Sequence, residues 1–325
     1  MNISDPVILL WGHASDSSLL AVYESLRKLD ASIAFYDQRR VLETEFEMIV
    51  DSGVSGKLRV EDEEIDLERI AAAYIRPFDS RWLPQIERAG PNTPEWIHAV
   101  KIEDALISWA EIAPALIINR PKIIASNSSK PYQAARIRDL GFLIPETLVT
   151  TDQQAVKEFW EKHGALIYKS VSATRSVVAR LKREQLNDLQ NISWCPTQFQ
   201  EYIPGNDYRV HVVGEEVFAC EIVCEADDYR FAFAQKDNVE LRAFDLPDDV
   251  AQRCRGLAAG LEMGVAGIDL RCTPEGEWYC FEVNPVAGFA YYQEPCNHHI
   301  DDAIARLLIG NMGKGSTSIT SMKVE

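Results

Sequence analysis

Gly267-Ile-Asp-Leu-Arg271 is followed, after the turn-forming Thr273-Pro-Glu-Gly-Glu277, by Phe281-Glu-Val-Asn-Pro285. The two runs read as the arms of one β-hairpin. With Glu275-Gly276 at the tip and Pro274 facing Glu277, Asp269 stands opposite Glu282, and Ile268 and Leu270 stand opposite Val283 and Phe281. Side chains alternate along a strand, so the four apolar residues point to one face and Asp269, Glu282 and Asn284 to the other. Two carboxylates and an amide are hard oxygen donors of the kind that suit Mg²⁺, which commonly binds one or two carboxylates together with substrate phosphates. The rest of the chain is therefore searched for a phosphate grip.

Before the hairpin, Val7-Ile-Leu-Leu-Trp11 reads as a buried strand, Ser17 to Leu29 as a helix and Ser32 to Asp37 as a second strand, the opening of a parallel sheet. No GxGxxG follows the first strand, which argues against a dinucleotide site; His13 in that loop reads as solvated. Two short strands are expected between Phe46 and Val60, another over Ala71 to Pro77, and a helix over Pro94 to Ala113 with Trp96, Val100, Leu106, Ile107 and Trp109 partly on its packing side. Arg76 and Arg81 flank the end of the third predicted sheet strand, where open α/β sheets place ligands. They are candidate substrate-binding residues, with solvated ion pairs as the alternative.

A turn-rich joint, Ala125-Ser-Asn-Ser-Ser-Lys-Pro-Tyr132, then leads into a helix from Tyr132 to Leu140. Strands are expected at 146–150, 165–169 and 177–181, a helix at 152–162 capped by Asp152, a hairpin of Asp207 to Val213 with Val217 to Val223, and helices at 251–263 and 300–309. Lys130 lies in the joint, and Lys169 ends a strand and enters the hydroxyl-rich loop Ser170 to Ser176. Alone, either lysine reads as a surface charge.

The ordered set Lys130, Lys169, Gln200-Glu-Tyr-Ile203, Asp207-Tyr-Arg209, Asp269 and Glu282-Val-Asn-Pro285 resembles the ATP-grasp fold, in the group of glutathione synthetase and the RimK-type ligases, which also includes the graspetide peptide ligases. The resemblance covers roughly residues 119 to 310. It implies a mixed α/β and α+β chain: an N-terminal open α/β pre-grasp sheet over 1–124, a two-subdomain ATP-grasp fold over 125–199 and 200–312 with the metal site in the second, and a flexible tail over 313–325. It implies that Lys130 and Lys169 hold the phosphates of ATP and that Gln200, Glu201 and Tyr202 line the adenine through main-chain groups. Asp207 is implied near the ribose. Asp269 and Glu282 would hold one Mg²⁺, and Glu282 and Asn284 a second. Arg209 and Arg230 are implied as the catalytic cations beside the reacting carboxylate. The loop Ser172-Ala-Thr-Arg-Ser176 lacks the glycines that many relatives carry, so Arg175 is expected to contact the phosphates with its side chain.

The implied activity is an ATP-dependent carboxylate-amine ligase acting through an acyl phosphate on an amino acid or small peptide. A peptide- or protein-modifying ligase is the alternative, and a non-catalytic nucleotide-binding regulator is the third reading. Among 325 residues, 33 basic and 50 acidic side chains leave a net charge of −17, which argues against nucleic acid or an anionic membrane as partner and leaves a homo-oligomer open. The seven cysteines lack paired CxxC spacing and read as reduced thiols, and no signal or membrane span is evident near Met1, so the cytoplasm is the expected compartment.

Overall fold

The computed structural model describes residues 5–126, 129–171, 178–224 and 239–312. By internal contacts the chain divides into two units, one running to Lys122 and resumed from His299, the other Ile123–His298. In the first unit, β1 (Val7–Gly12) is buried at all six positions, as a strand covered on both faces must be. Around it β2 (Ile33–Asp37), β6 (Ile70–Arg76) and β7 (Leu116–Ile118) form a parallel sheet in the order β2-β1-β6-β7. The helix α1 (Ser17–Lys28) starts at Asp16, whose Oδ1 accepts from the Ser18 and Leu19 N–H groups at 2.9 Å each. The short α2 (Pro84–Ala89) and long α3 (Pro94–Ile112) follow β6, and α3 buries Ala99, Ile102, Leu106, Trp109 and Ala110.

The expected strand pair is present as β3 (Thr44–Val50) and β4 (Val54–Val60), joined by an unforeseen β5 (Glu63–Asp66). Glu63-Glu-Ile-Asp66 has almost no apolar signal; cross-strand charge supports it, with Arg59 facing Glu64 and bonded to it at 2.9 Å. The last helix (Ile300–Ile309) falls within the expected 200–312 subdomain. It belongs instead to the first unit: Ile300, Ala303, Ile304 and Leu308 are buried, and Ser25 Oγ donates to Asp301 Oδ2 at 3.0 Å. No helix among the described residues is long and apolar enough to cross a membrane.

The boundary at Lys122 falls inside α4 (Pro121–Ser126), which the expected turn-rich joint had not anticipated, and α5 (Lys130–Asp139) follows in the second unit. Lys130 is therefore the first residue of a helix rather than part of the joint, with Pro131 suited to the first turn. Next come β8 (Thr147–Thr150), α6 (Gln153–His163), β9 (Leu166–Ser170), β10 (Ala179–Arg180) and β11 (Thr197–Glu201), which make an antiparallel sheet in the order β10-β9-β11-β8. One face packs Leu148, Leu166, Tyr168 and Phe199 against Val156 and Phe159 of α6. Gln200 and Glu201 belong to this sheet, although the expected subdomain boundary fell before them.

A five-stranded antiparallel sheet follows: β12 (Asn206–Val213), β13 (Glu216–Val223), β14 (Glu240–Ala243), β15 (Val265–Cys272) and β16 (Trp278–Asn284), in the order β14-β13-β12-β15-β16. Its apolar face, with Tyr208, Val210, Ile268, Leu270, Cys280 and Val283, packs with Val250, Cys254 and Leu257 of α7 (Asp248–Gly260) and Ile137 of α5. The short α8 (Ala290–Cys296) follows β16.

The hairpin of β15 and β16 pairs Ile268 with Val283 and Asp269 with Glu282, as expected, but two details differ. Thr273 N donates to Glu277 O at 2.9 Å, so the loop has three residues, with Gly276 at φ 87° in the left-handed position such loops need. The one-residue shift puts Leu270 opposite Cys280 rather than Phe281, and a bulge beside Asp269 restores the register. Cys280 takes the buried place, and Phe281 lies on the polar face with its ring 5.3 Å from the Arg271 Cζ.

Candidate active site

Alternation along β12, β15 and β16 places three rows of residues on the face opposite the apolar core: Asp207, Arg271 and Tyr279; Arg209, Asp269 and Glu282; His211, Gly267 and Asn284. In the middle row, Arg209 Nη1 donates to Asp269 Oδ1 at 2.6 Å, with the arginine side chain 7% and the aspartate 21% exposed. Arg209 also lies with its Cζ 5.9 Å from the centroid of the Tyr292 ring on α8. Among the described residues no donor or cation meets the Glu282 carboxylate. Asn284 Oδ1 accepts from Val286 N at 2.8 Å, which orients the amide as the chain turns away from β16.

Two facing carboxylates and an amide oxygen form a donor set that fits Mg²⁺. No group of three or more His, Cys, Asp and Glu side chains arranged for a metal occurs among the described residues. A cation here would take its remaining ligands from water or a bound phosphate, which is the usual habit of Mg²⁺.

In the lower row His211 is fully buried, and its Nε2 lies 3.3 Å from Gly288 O while Nδ1 has no hydrogen-bond partner among the described residues. That carbonyl can only accept, so the Nε2 carries the proton. Burial first, and the neighbouring Arg209 second, hold the imidazole well below its usual pKa, so it is neutral. In the upper row Asp207 is gripped by Arg271, Nε to Oδ1 and Nη2 to Oδ2, both at 2.7 Å, while Arg271 Nη1 donates to Ile203 O at 2.8 Å. The carboxylate expected near the ribose is thus committed to an ion pair. Arg271, not singled out in the sequence, stood in the opening stretch on the carboxylate face, and its alternation with Asp269 was the available signal.

The two lysines are brought together at the end of β9. Lys169 is buried on the sheet face opposite α6, and Lys130 Nζ donates to the carbonyl of Ser170 at 3.5 Å. Gln198 faces Lys169 across the strand pair, and Gln200 follows on the same side. Both glutamines are buried, and neither Oε1 has a hydrogen-bond partner among the described residues, although Gln200 Nε2 donates to Thr147 Oγ1 at 2.9 Å. Buried acceptors left open on one face, next to a buried lysine, are what a ligand with polar hydrogens would complete. Gln198 was missed; its two-residue spacing from Gln200 marks the shared face.

Glu201 turns away from that face. Its Oε1 accepts from Glu146 N at 2.8 Å and its Oε2 lies 3.3 Å from His163 Nδ1. Its own N–H and that of Tyr202 donate to the Glu146 and Ala165 carbonyls at 3.1 and 3.0 Å, so a base docking here would meet carbonyl groups or residues beyond Tyr202. The Tyr202 ring has the Arg180 Cζ 3.9 Å from its centroid.

Arg76 and Arg81 lie in the first unit. Arg76 Nε donates to Asp16 Oδ2 at 2.8 Å and is largely buried, while Arg81 is 59% exposed and paired with Asp79 at 2.7 Å. Arg175, Arg230 and the tail from residue 313 lie outside the described residues.

No family model matches the chain. Its sequence is 34% identical over 144 residues to the glutathione synthetase of Salmonella typhimurium (strain LT2), and the match spans 40% of this chain and only 42% of the length of that relative. Solved structures match almost end to end, and two illustrate it. The ATP-grasp ligase PsnB, complexed with minimal precursor, Mg and ADP, has a TM-score of 0.78 and 26% identity over 94% of this chain and 97% of its own. The macrocyclase MdnC from Microcystis aeruginosa MRC, bound with precursor peptide MdnA, has a TM-score of 0.81 and 20% identity over 94% of this chain and 99% of its own. These likenesses show the ATP-grasp fold.

Proposed function

We propose that this ATP-grasp chain, of the glutathione synthetase-like group, is an ATP-dependent carboxylate-amine ligase that forms an amide bond through an acyl phosphate. The observation that carries this reading is the row Arg209, Asp269 and Glu282: a buried cation locked to one of two facing carboxylates. Lys130 and Lys169 hold the nucleotide phosphates, and the polar face with Gln198 and Gln200 receives the base. Asp269 and Glu282 would hold one Mg²⁺, and Glu282 and Asn284 a second; bound there, the ions offset charge on the phosphate oxygens. The substrate carboxylate attacks the γ-phosphorus, ADP departs, an amine attacks the acyl carbon, and phosphate leaves. Arg209 stands ready for the oxyanion that develops at that carbon, its position set by Asp269 and Tyr292.

A peptide- or protein-borne carboxylate is the second reading. It is favoured by the end-to-end likeness to ligases solved with precursor peptides, against the partial match to glutathione synthetase. Arg76 and Arg81 are proposed substrate contacts, Arg175 a phosphate contact, and Arg230 a second catalytic cation beside the reacting carboxylate. The retained lysines and acids weigh against a non-catalytic regulator.

The test is release of ADP and phosphate, with products followed by mass spectrometry, across amino acids, short peptides and any small precursor peptide encoded beside the gene. Turnover is expected with at least one class and a fall of at least about 100-fold in Glu282→Gln at retained fold. Wild-type turnover in Glu282→Gln overturns the metal role. Tight ATP binding with no turnover across the whole screen favours the regulator.

A further inference from the structure

We propose that Gln133 is a positioning residue that holds the metal-carrying strand in place, an inference that rests on the reading of Glu282 and Asn284 as Mg²⁺ ligands. The side chain is buried on α5, and its amide bonds twice to a single residue of β16. Gln133 Nε2 donates to Val283 O at 2.6 Å, and Val283 N donates to Gln133 Oε1 at 3.0 Å. Val283 sits between Glu282 and Asn284, and β16 is the last strand of its sheet. An edge strand has outward-facing N–H and C=O groups with no neighbouring strand to meet them. The primary amide sets an NH₂ donor beside a carbonyl acceptor, so it occupies that place as a strand's peptide group would. A further bond along the same edge, Cys280 N to Leu143 O at 2.9 Å, leaves Gln133 to secure the end that carries the ligands.

The helix makes the clamp consequential. Gln133 lies three residues after Lys130, about one turn along α5, and Lys130 reaches the Ser170 carbonyl beside Lys169. One helix thus ties the lysines of the phosphate grip to the strand bearing the oxygen ligands. Loss of the amide frees β16 to shift against α5, and with it Glu282 and Asn284 relative to the phosphates they must share a cation with.

The test uses Mn²⁺ as probe, with a non-hydrolysable ATP analogue, and reads protein-bound ion from the loss of the free Mn²⁺ paramagnetic resonance signal beyond that caused by the same nucleotide without protein. Hydrogen exchange at the Val283 amide is the second readout. In Gln133→Leu, Mn²⁺ affinity is expected to fall about 10- to 100-fold and Val283 protection to drop. Gln133→Glu can still accept from Val283 N, but its second oxygen faces the Val283 carbonyl unless protonated. Its affinity, relative to wild type at each pH, is therefore expected to recover as the pH falls. This variant also serves if Gln133→Leu does not fold. Wild-type Mn²⁺ affinity in a folded Gln133→Leu, or in Gln133→Glu at every pH, overturns the positioning role while the metal site stands. Failure of the wild type to bind Mn²⁺ with nucleotide, or unaltered binding in Glu282→Gln, overturns the metal reading and this inference with it.

Discussion

Gly267→Ala puts a single methyl group into the middle of the site. A Cβ at this position would lie 2.5 Å from Arg209 Nη2, 2.9 Å from Arg209 Cζ and 2.4 Å from the Ala287 Cβ. Ordinary contacts between such atoms are about 3.5–4.0 Å, so the guanidinium must retreat by roughly 1 Å. That retreat strains the 2.6 Å bond from Arg209 to Asp269, which leaves hydrogen-bonding range once stretched by about 1 Å. Overpacking typically costs about 1–3 kcal/mol, and separating a largely buried pair adds to it, so the expected loss of stability is on the order of 3 kcal/mol. A shift of about 1 Å in a positioned group costs on the order of 100-fold in rate. Thermal melting and ADP release at saturating substrate measure the two effects. Gly288→Ala is the control, because a Cβ there meets nothing within 4 Å. If Gly267→Ala melts and turns over like Gly288→Ala, the claim that Arg209 is held by this close approach is refuted.

The neutral, buried His211 predicts a pH dependence of stability. Its folded pKa lies well below the 6.5 of the unfolded chain, so between those values the unfolded state binds the extra proton. Its contribution is complete above about pH 6.5 and declines as the pH falls, by up to about 1.4 kcal/mol per pH unit; urea unfolding of wild type and His211→Gln at pH 7.5 and 5.5 should show this slope only in the wild type. Arg271→Leu leaves Asp207 without its bidentate partner and the Ile203 carbonyl without its donor, an expected loss on the order of 3 kcal/mol. Adding Asp207→Leu should restore part of it, and additive losses in the double variant would show that the pair is not coupled.

Much of the site was legible along single strands. A period of two put Asp269 and Glu282 on one face and Ile268 and Val283 on the other, and the structure has them there. The register survived two misreadings because they offset one another: the longer turn at Gly276 moved β16 by one residue, and the bulge at Phe281 moved it back. Turn length and bulges depend on backbone twist and on which neighbour fills the core, here Cys280 in place of Phe281, and hydrophobicity alone does not separate those two residues.

The partners across strands were not legible. Arg209 meets Asp269, and Asp207 meets Arg271, only because β12 inserts between β13 and β15, a strand order that buries Tyr208, Val210, Ile268 and Leu270 against α5 and α7. Likewise periodicity alone leaves Lys130 and Lys169 as separate surface charges, and only the ordered set of motifs groups them; α5 and β9 bring one beside the carbonyl that follows the other. Periodicity records what a residue does within its own element, whereas the pairing of elements distant in sequence is set by the burial of their shared apolar faces. The hairpin's acidic face was therefore written into residues 267–285, but the cation that locks Asp269 and the amide that holds Val283 were chosen by packing.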